Sequence, residues 1–207
     1  GDGSVTLVLG TPDLSGTRTS LGMVAAEILG LDLDDVRVII SNTDVVGYSD
    51  ASAGDRITYI ATIAIKRACE DLIQAMKQRL ADEINFRPED IDYDNKQFSI
   101  KGVPELGDSW NDVALRTVRG DGALMSSGMA CQIPEDTSIA PNATAHVVDV
   151  EVDVETGKVN ILRYTTFQDV GMAVNPAQVE GQMQGGVAQG IGWALSEEYR
   201  YDAGGKM

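Results

Sequence analysis

The stretch Ala145 to Val154 (AHVVDVEVDV) restricts the fold more than any other part of this chain. Apolar and polar residues alternate there with the period of two that puts successive side chains on opposite faces of a β-strand. Glu155-Thr156-Gly157-Lys158 is a turn, and Val159 to Thr166 runs back with strand composition. The prediction is a β-hairpin. A glycine-bearing loop, Gln168-Asp169-Val170-Gly171, follows it. Asn175-Pro176 then opens a helix to about Leu195, with the proline at the first helical position, where its missing N–H costs nothing. That helix carries Gly181, Gly185, Gly186, Gly190 and Gly192. Each helix-interior glycine costs about 1 kcal/mol relative to alanine, so five of them imply close approach by another backbone or a ligand. A last strand is expected near Glu198 to Tyr201.

The N-terminal part reads differently. Val5 to Gly10 (VTLVLG) is a glycine-ended strand, and Thr11-Pro12-Asp13-Leu14-Ser15-Gly16 is a turn. Thr17 to Leu29 is a helix with Leu21, Val24, Ala25 and Ile28 at helical spacing and Gly30 as its C-terminal cap. Val36 to Ser41 is a buried strand. Asn42 to Gly54 is a long loop rich in Ser, Gly and Asp. A second helix runs from Asp55 to about Ala81, with Ile60, Ile63, Ala64, Ala68, Leu72 and Met76 as its core stripe. Further on, a turn or short helix is expected at Arg87 to Ile91, a strand at Gln97 to Ile100, and a short helix at Ser109 to Thr117 opened by Ser109 and Asp112. Gly120 to Pro141 has no clear period. The elements do not repeat as regular strand–helix–strand units, so the predicted class is α+β: two lobes of mixed β-sheet, each backed by a long helix. Residues 1–85 form a first lobe with two ligand loops, 86–140 an irregular middle, and 141–207 the hairpin with the glycine-rich helix.

Composition excludes several functions. A net charge of -16 disfavours nucleic acid, whose phosphates need clustered Lys and Arg. Anionic small molecules stay open, because main-chain N–H groups in glycine turns and at helix starts hold them without cations. No apolar run reaches the roughly 18 residues of a membrane helix. Cys69 and Cys131 are unclustered, as in a reducing cytoplasm, and Cys69 reads as a buried thiol. There is no initiating Met, and the chain reads as a portion of a longer polypeptide. The single histidine, His146, lies in the alternating strand and reads as structural. Asp32, Asp34, Asp35, Glu89 and Asp90 read as solvated caps and turns, and Glu197-Glu198 as an exposed strand edge.

Three segments can carry chemistry. The first is the turn at Leu14, Ser15 and Gly16, which feeds a helix N-terminus. It departs from both the dinucleotide and phosphate-loop signatures, and an ordinary capped turn with Asp13, Ser15 or Thr17 as cap explains it equally. The second is Ala53, Gly54, Asp55 and Arg56, another small-residue loop at a helix start, where Arg56 pairs with an anion or with Asp50. The third is Gln182, a side-chain amide among helix glycines that can donate and accept at a heterocycle edge, or face solvent. A generic nucleotide-binding module remains an alternative at this level.

Taken in order, GTPDLSGTRTSLGMVAAEILGL, VRVIISNTDVVGYSDASAGDRITY and VDVEVDVETGKVNILRYTTFQDVGMAVNPAQVEGQMQGGVAQGIGWALSEE resemble the molybdenum-cofactor subunit of the xanthine dehydrogenase and aldehyde oxidase family. The resemblance runs from about Leu7 to Asp202 and is looser between Leu80 and Ala140. It implies that Leu14, Ser15, Gly16, Ala53, Gly54, Asp55, Arg56 and Gln182 hold molybdopterin or its cytosine dinucleotide form. Ser15 stands where the family usually has Gln, and Asp55 where many bacterial members have Ser. The implied reaction is water-derived hydroxylation of an aldehyde or nitrogen heterocycle, with electrons leaving through iron–sulfur and flavin (FAD) partners in an oligomeric, cytoplasmic enzyme. The family's general base is a Glu in a glycine-rich motif that these 207 residues do not contain. No catalytic residue or metal ligand is therefore assigned, and the chain alone is expected to be inactive. Ser15 and Asp55 keep a second reading open, a scaffold or assembly subunit of the same fold that has lost the cofactor.

Overall fold

Val5–Leu9 (β1) and Val36–Ile40 (β2) pair in parallel, Val5 opposite Val36 through Leu9 opposite Ile40. Between them runs α1, Thr17–Leu29. The computed structural model describes residues 2–54, 56–120, 122–130 and 142–207. Helix α1 ends where Gly30 turns left-handed (φ 61°). The Gly30 amide donates to Glu27 O (3.2 Å) and the Leu31 amide to Ala26 O (2.9 Å), the reciprocal pair of a Schellman cap. Close packing of α1 on the sheet needs a small residue at Gly22, where a Cβ would stand 2.9 Å from Val38 Cγ2.

Helix α2, Arg56–Ile84, is 29 residues long, which at 1.5 Å per residue is about 44 Å. It packs along α1 and buries Ile57, Ala61, Ile65 and Cys69, one residue every fourth. The buried line is thus rotated from the expected stripe. Of those six residues only Met76 is buried, whereas Ile60, Ile63, Ala64, Ala68 and Leu72 flank the line half-covered. Burial pushes the Cys69 thiol up to about 11, with the charge of Glu70 adding to it, so this cysteine is an inert core residue.

Residues 88–119 are regular. A 3-10 turn at Pro88–Asp90 leads to β3 (Ile91–Asp94), β4 (Gln97–Ile100) and β5 (Val103–Ser109), an antiparallel sheet in that order. Next comes α3, Trp110–Arg119, capped by Ser109, whose Oγ accepts the Asp112 amide (3.2 Å). Phe98, fully buried, lies with ring centroids 4.5 Å from Tyr93 and 6.4 Å from Trp110. This sheet is tied to the end of α1: Tyr93 Oη donates to Leu29 O at 2.6 Å, and Lys96 Nζ pairs with Asp32 (2.6 Å) and Asp35 (3.5 Å). Of Gly120 to Pro141, Cys131 and its followers lie outside the described residues.

The backbone divides into two compact units, residues 1–137 and 138–207. In the second, β6 (Thr144–Val152) and β7 (Val159–Gln168) form the hairpin, with a bulge between Asp149 and Val150. Asp153 closes the turn by accepting the Glu155 (2.9 Å) and Thr156 (3.2 Å) amides, which holds its carboxyl below the usual range. Helix α4, Pro176–Leu195, is capped by Asn175 and half-buries Val179, Met183, Val187 and Ile191, a stripe at every fourth residue. No strand forms at Glu198 to Tyr201. Among the described residues that segment finds no ladder partner, and Tyr199 stacks on Tyr201 in solvent instead (centroids 6.4 Å apart).

Candidate functional site: two loops at one end of a parallel pair

Parallel pairing decides where the first two loops lie. Both leave the carboxyl ends of adjacent strands, β1 at Leu9 and β2 at Ile40, where open α/β sheets place ligands. They touch there: a Cβ on Gly10 would stand 3.0 Å from Val46 Cγ2 and 3.4 Å from Gly47 O. The contact lies at Gly10, Val46 and Gly47, in the loops that go on to carry Leu14, Ser15 and Gly16 on one side and Ala53, Gly54 and Arg56 on the other. Asp55 lies outside the described residues.

In the first loop, Ser15 (φ 54°) and Gly16 (φ 74°) are successive left-handed residues, and Gly16 is the N-cap of α1 without a side-chain bond. The turn is held by Thr17, whose hydroxyl donates to Pro12 O and accepts the Leu14 amide, each at 3.2 Å. Asp13 Oδ1 accepts the Arg18 amide (3.2 Å), so of the three expected caps Asp13 takes a helix amide and Thr17 braces the turn. The Ser15 and Gly16 amides have no partner among the described residues. Ser15 is exposed, and its Cβ already costs the left-handed turn about 1–2 kcal/mol. Ser15→Gly is expected to stabilise the first unit by up to about 1 kcal/mol and Ser15→Val, whose branched Cβ adds strain, to destabilise it by about 1 kcal/mol, read from denaturant midpoints. Equal effects of the two would place Ser15 elsewhere in backbone space.

In the second loop, Tyr48 Oη and the Ala51 amide both donate to Asp50 Oδ1 (3.2 and 2.7 Å). The Ala51 amide, then Tyr48, then the charge of Arg56 hold the Asp50 carboxyl below its usual range. Arg56 Nη1 donates to the main-chain oxygens of Asp50 (3.0 Å) and Ala51 (3.4 Å), so it grips its own loop. Gly54 is left-handed (φ 60°) with open space where a Cβ would point.

Gln182 is exposed on α4, and its amide has no partner among the described residues. Cβ atoms at Gly181, Gly185, Gly186 and Gly190 would meet nothing within 4 Å. Three other polar residues singled out by the sequence have local partners. His146 is within hydrogen-bond reach of Tyr164 Oη (3.1 Å) and Thr144 Oγ1 (3.3 Å), Asp90 pairs with Arg87 (3.0 Å), and Glu198 pairs with Arg200. Among the described residues no cluster of His, Cys, Asp or Glu could hold a metal ion, and no helix is long and apolar enough to cross a membrane. One feature escaped sequence reading: Thr11, whose hydroxyl is buried without a partner among the described residues at the loop base.

Comparison with known proteins converges on one family. Residues 1–207 match the molybdopterin cofactor-binding domain, and the chain belongs to that family. It is 31% identical over 99% of its length to the nicotine 6-hydroxylase large subunit of Paenarthrobacter nicotinovorans, covering 26% of that protein. Among solved structures, quinoline 2-oxidoreductase from Pseudomonas putida superposes with TM-score 0.78 at 27% identity, over 98% of this chain and 26% of that one. CO dehydrogenase from Oligotropha carboxidovorans shares the fold, with TM-score 0.80 at 23% identity, over 95% and 24%. The chain thus spans about a quarter of the length of these relatives.

The loops fit such a group in one respect that can be read from the backbone. A pterin phosphate needs donors more than counter-charges, and the Ser15 and Gly16 amides, unpartnered among the described residues, with left-handed Gly54 supply an approachable main chain.

Proposed function

We propose that this chain is the cofactor-gripping part of a molybdenum hydroxylase that oxidises an aldehyde or nitrogen heterocycle, taking its oxygen from water. The observation that carries the reading is the meeting of two amide-bearing loops at the carboxyl ends of β1 and β2. Leu14, Ser15, Gly16, Ala53, Gly54, Asp55, Arg56 and Gln182 are the residues assigned to molybdopterin or its cytosine dinucleotide form. The bound cofactor supplies the two-electron oxidation chemistry. This chain's residues bind and orient it. Ser15 and Gly16 donate main-chain N–H groups, Gly54 lets the ligand approach the backbone, Arg56 stiffens the second loop through the Asp50 carbonyl, and the Gln182 amide reads a heterocycle edge.

Two relatives are named for nitrogen heterocycles, nicotine and quinoline, which supports that substrate class. One is named a large subunit, which supports partner subunits. Iron–sulfur and FAD groups on such partners, in an oligomer, are part of the same proposal. One observation favours the scaffold reading: the Asp13 carboxylate already occupies one α1 amide. Metal and pterin analysis of the full-length protein separates the two. About one molybdenum and one pterin per chain is the expected result, and a folded full-length protein lacking both would overturn it in favour of the scaffold.

A further inference from the structure

We infer that Arg18 is a positioning residue: its side chain pins the first turn of α1 to β2 and so sets where the Ser15 and Gly16 amides stand. The inference rests on the cofactor reading only for what those amides hold.

The first loop has an internal frame with few outward ties. Thr17 bonds to Pro12 and Leu14, and Ser20 Oγ donates to Gly16 O at 3.2 Å. Asp13 takes the Arg18 amide. Each of these bonds joins two residues between Pro12 and Ser20, so together they fix the shape of the turn and leave its placement open. Thr17 and Ser20 are buried, and their hydroxyls are spent inside this frame.

Arg18 supplies the placement. Its Nη2 donates to Val38 O at 3.0 Å. Among the described residues this is the one side-chain hydrogen bond from the first turn of α1 that reaches another element. The acceptor is suited to it. The Ser41 amide donates to Leu9 O, so by strand alternation residues 37, 39 and 41 turn their main-chain groups to β1, and Val38 turns its own away. Among the described residues β2 pairs with β1 alone, so Val38 O has no ladder partner and the guanidinium satisfies it.

One helical turn further on, Gly22 meets the same residue, since a Cβ there would stand 2.9 Å from Val38 Cγ2. Residues four apart share a helix face. Arg18 and Gly22 therefore form a two-point mount on Val38, polar at the loop end and apolar behind it. The pair fixes the tilt of α1 at its N-terminal end as well as its distance from the strand.

The side chain is committed to this mount. Arg18 forms no ion pair among the described residues, and its guanidinium serves a neutral oxygen. Its amide is held by Asp13, so one end of the residue is tied to the first loop and the other to β2. Gly16 lies two residues before Arg18, and the second loop leaves β2 at Ile40, two residues after Val38. Arg18 thus links the turn of one loop to the strand that launches the other. Amides that grip an anion without cationic help need placement to within about 0.5 Å, which a tie of this kind supplies.

The test uses the full-length protein with Arg18→Met, which keeps the length of the stem and removes every donor, and Arg18→Lys, which restores one. Residue-resolved amide hydrogen exchange is followed in cofactor-depleted protein, and pterin content after dialysis in loaded protein. Arg18→Met is expected to speed exchange of the Ser20 amide about tenfold, the worth of one hydrogen bond, with Leu29 at the far end of α1 unchanged. Pterin retention should fall by a similar factor, and Arg18→Lys should bring both to within about threefold of wild type. Unchanged Ser20 exchange overturns the inference whatever the retention does. Equal acceleration at Ser20 and Leu29 overturns it as well, because that is general loosening. So does faster Ser20 exchange with full pterin retention, since the placement of the turn then does not reach the ligand. Wild-type protein that binds no pterin overturns the cofactor reading alone, and the exchange result still decides whether Arg18 anchors the turn.

Discussion

Phe98→Ala is expected to cost the first unit about 3–5 kcal/mol, the range for removing a fully buried phenylalanine ring. Phe98 is central in its sheet, on β4 between β3 and β5, and it is 1% exposed. Its ring is the shared neighbour of Tyr93 and Trp110, so truncation leaves a void that both rings line. Tyr93 in turn reaches the last carbonyl of α1 through its hydroxyl, whose ionisation burial pushes up to about 12. Loosening the aromatic cluster thus loosens the hold of the β3–β5 sheet on α1. Denaturant unfolding followed by Trp110 fluorescence in a Trp193→Phe background measures the loss. Phe98→Leu, which keeps most of the volume, should cost less than about 1.5 kcal/mol. A Phe98→Ala loss below about 1 kcal/mol would remove this ring from the core.

The same sheet shows where the sequence stops being readable. β1, α1 and the β6–β7 hairpin are legible because each has a clear apolar pattern and a glycine or aspartate marking its end, and β2 because it is a short apolar run; α1 matches its expected span through Gly30. β3 and β5 are not. Ile91–Asp94 is four residues with two acids, too short for alternation to register. Val103–Ser109 contains Pro104 and Gly107, which read as breakers. The structure explains the glycine: a Cβ at Gly107 would stand 2.3 Å from Phe98 O, so strand pairing itself demands it. The turn between β3 and β4 uses left-handed Asn95 and Lys96 without a glycine, which hides the hairpin. On α2, two adjacent apolar lines both satisfy helical spacing, and only tertiary packing selects Ile57, Ala61, Ile65 and Cys69 for burial. At the candidate site, the small residues and the loop positions were legible. The use of Arg56 on its own loop carbonyls was not, because a cation's partner is a matter of three-dimensional reach.

Gly16→Val in the full-length protein is expected to weaken molybdopterin retention by about 10–10²-fold. Gly16 sits at φ 74°, ψ 19°, where a β-branched residue is strained by about 1–2 kcal/mol, and relaxing that strain turns the Gly16 amide away from the ligand. A hydrogen bond to a charged group is worth about 1.5–3 kcal/mol, which sets that loss of affinity. The measurement is molybdenum and pterin content per chain after dialysis, beside circular dichroism to follow the fold. Gly102→Val is the matched control. Gly102 is also left-handed (φ 81°) with open space around it, but it lies in the β4–β5 turn, away from the loops at the ends of β1 and β2. It should show a similar fall in stability with the cofactor retained. If both variants lose cofactor equally, the loss follows general destabilisation and the Gly16 amide is not a contact. If Gly16→Val alone loses it while the fold persists, the amide-bearing turn acts on the ligand directly.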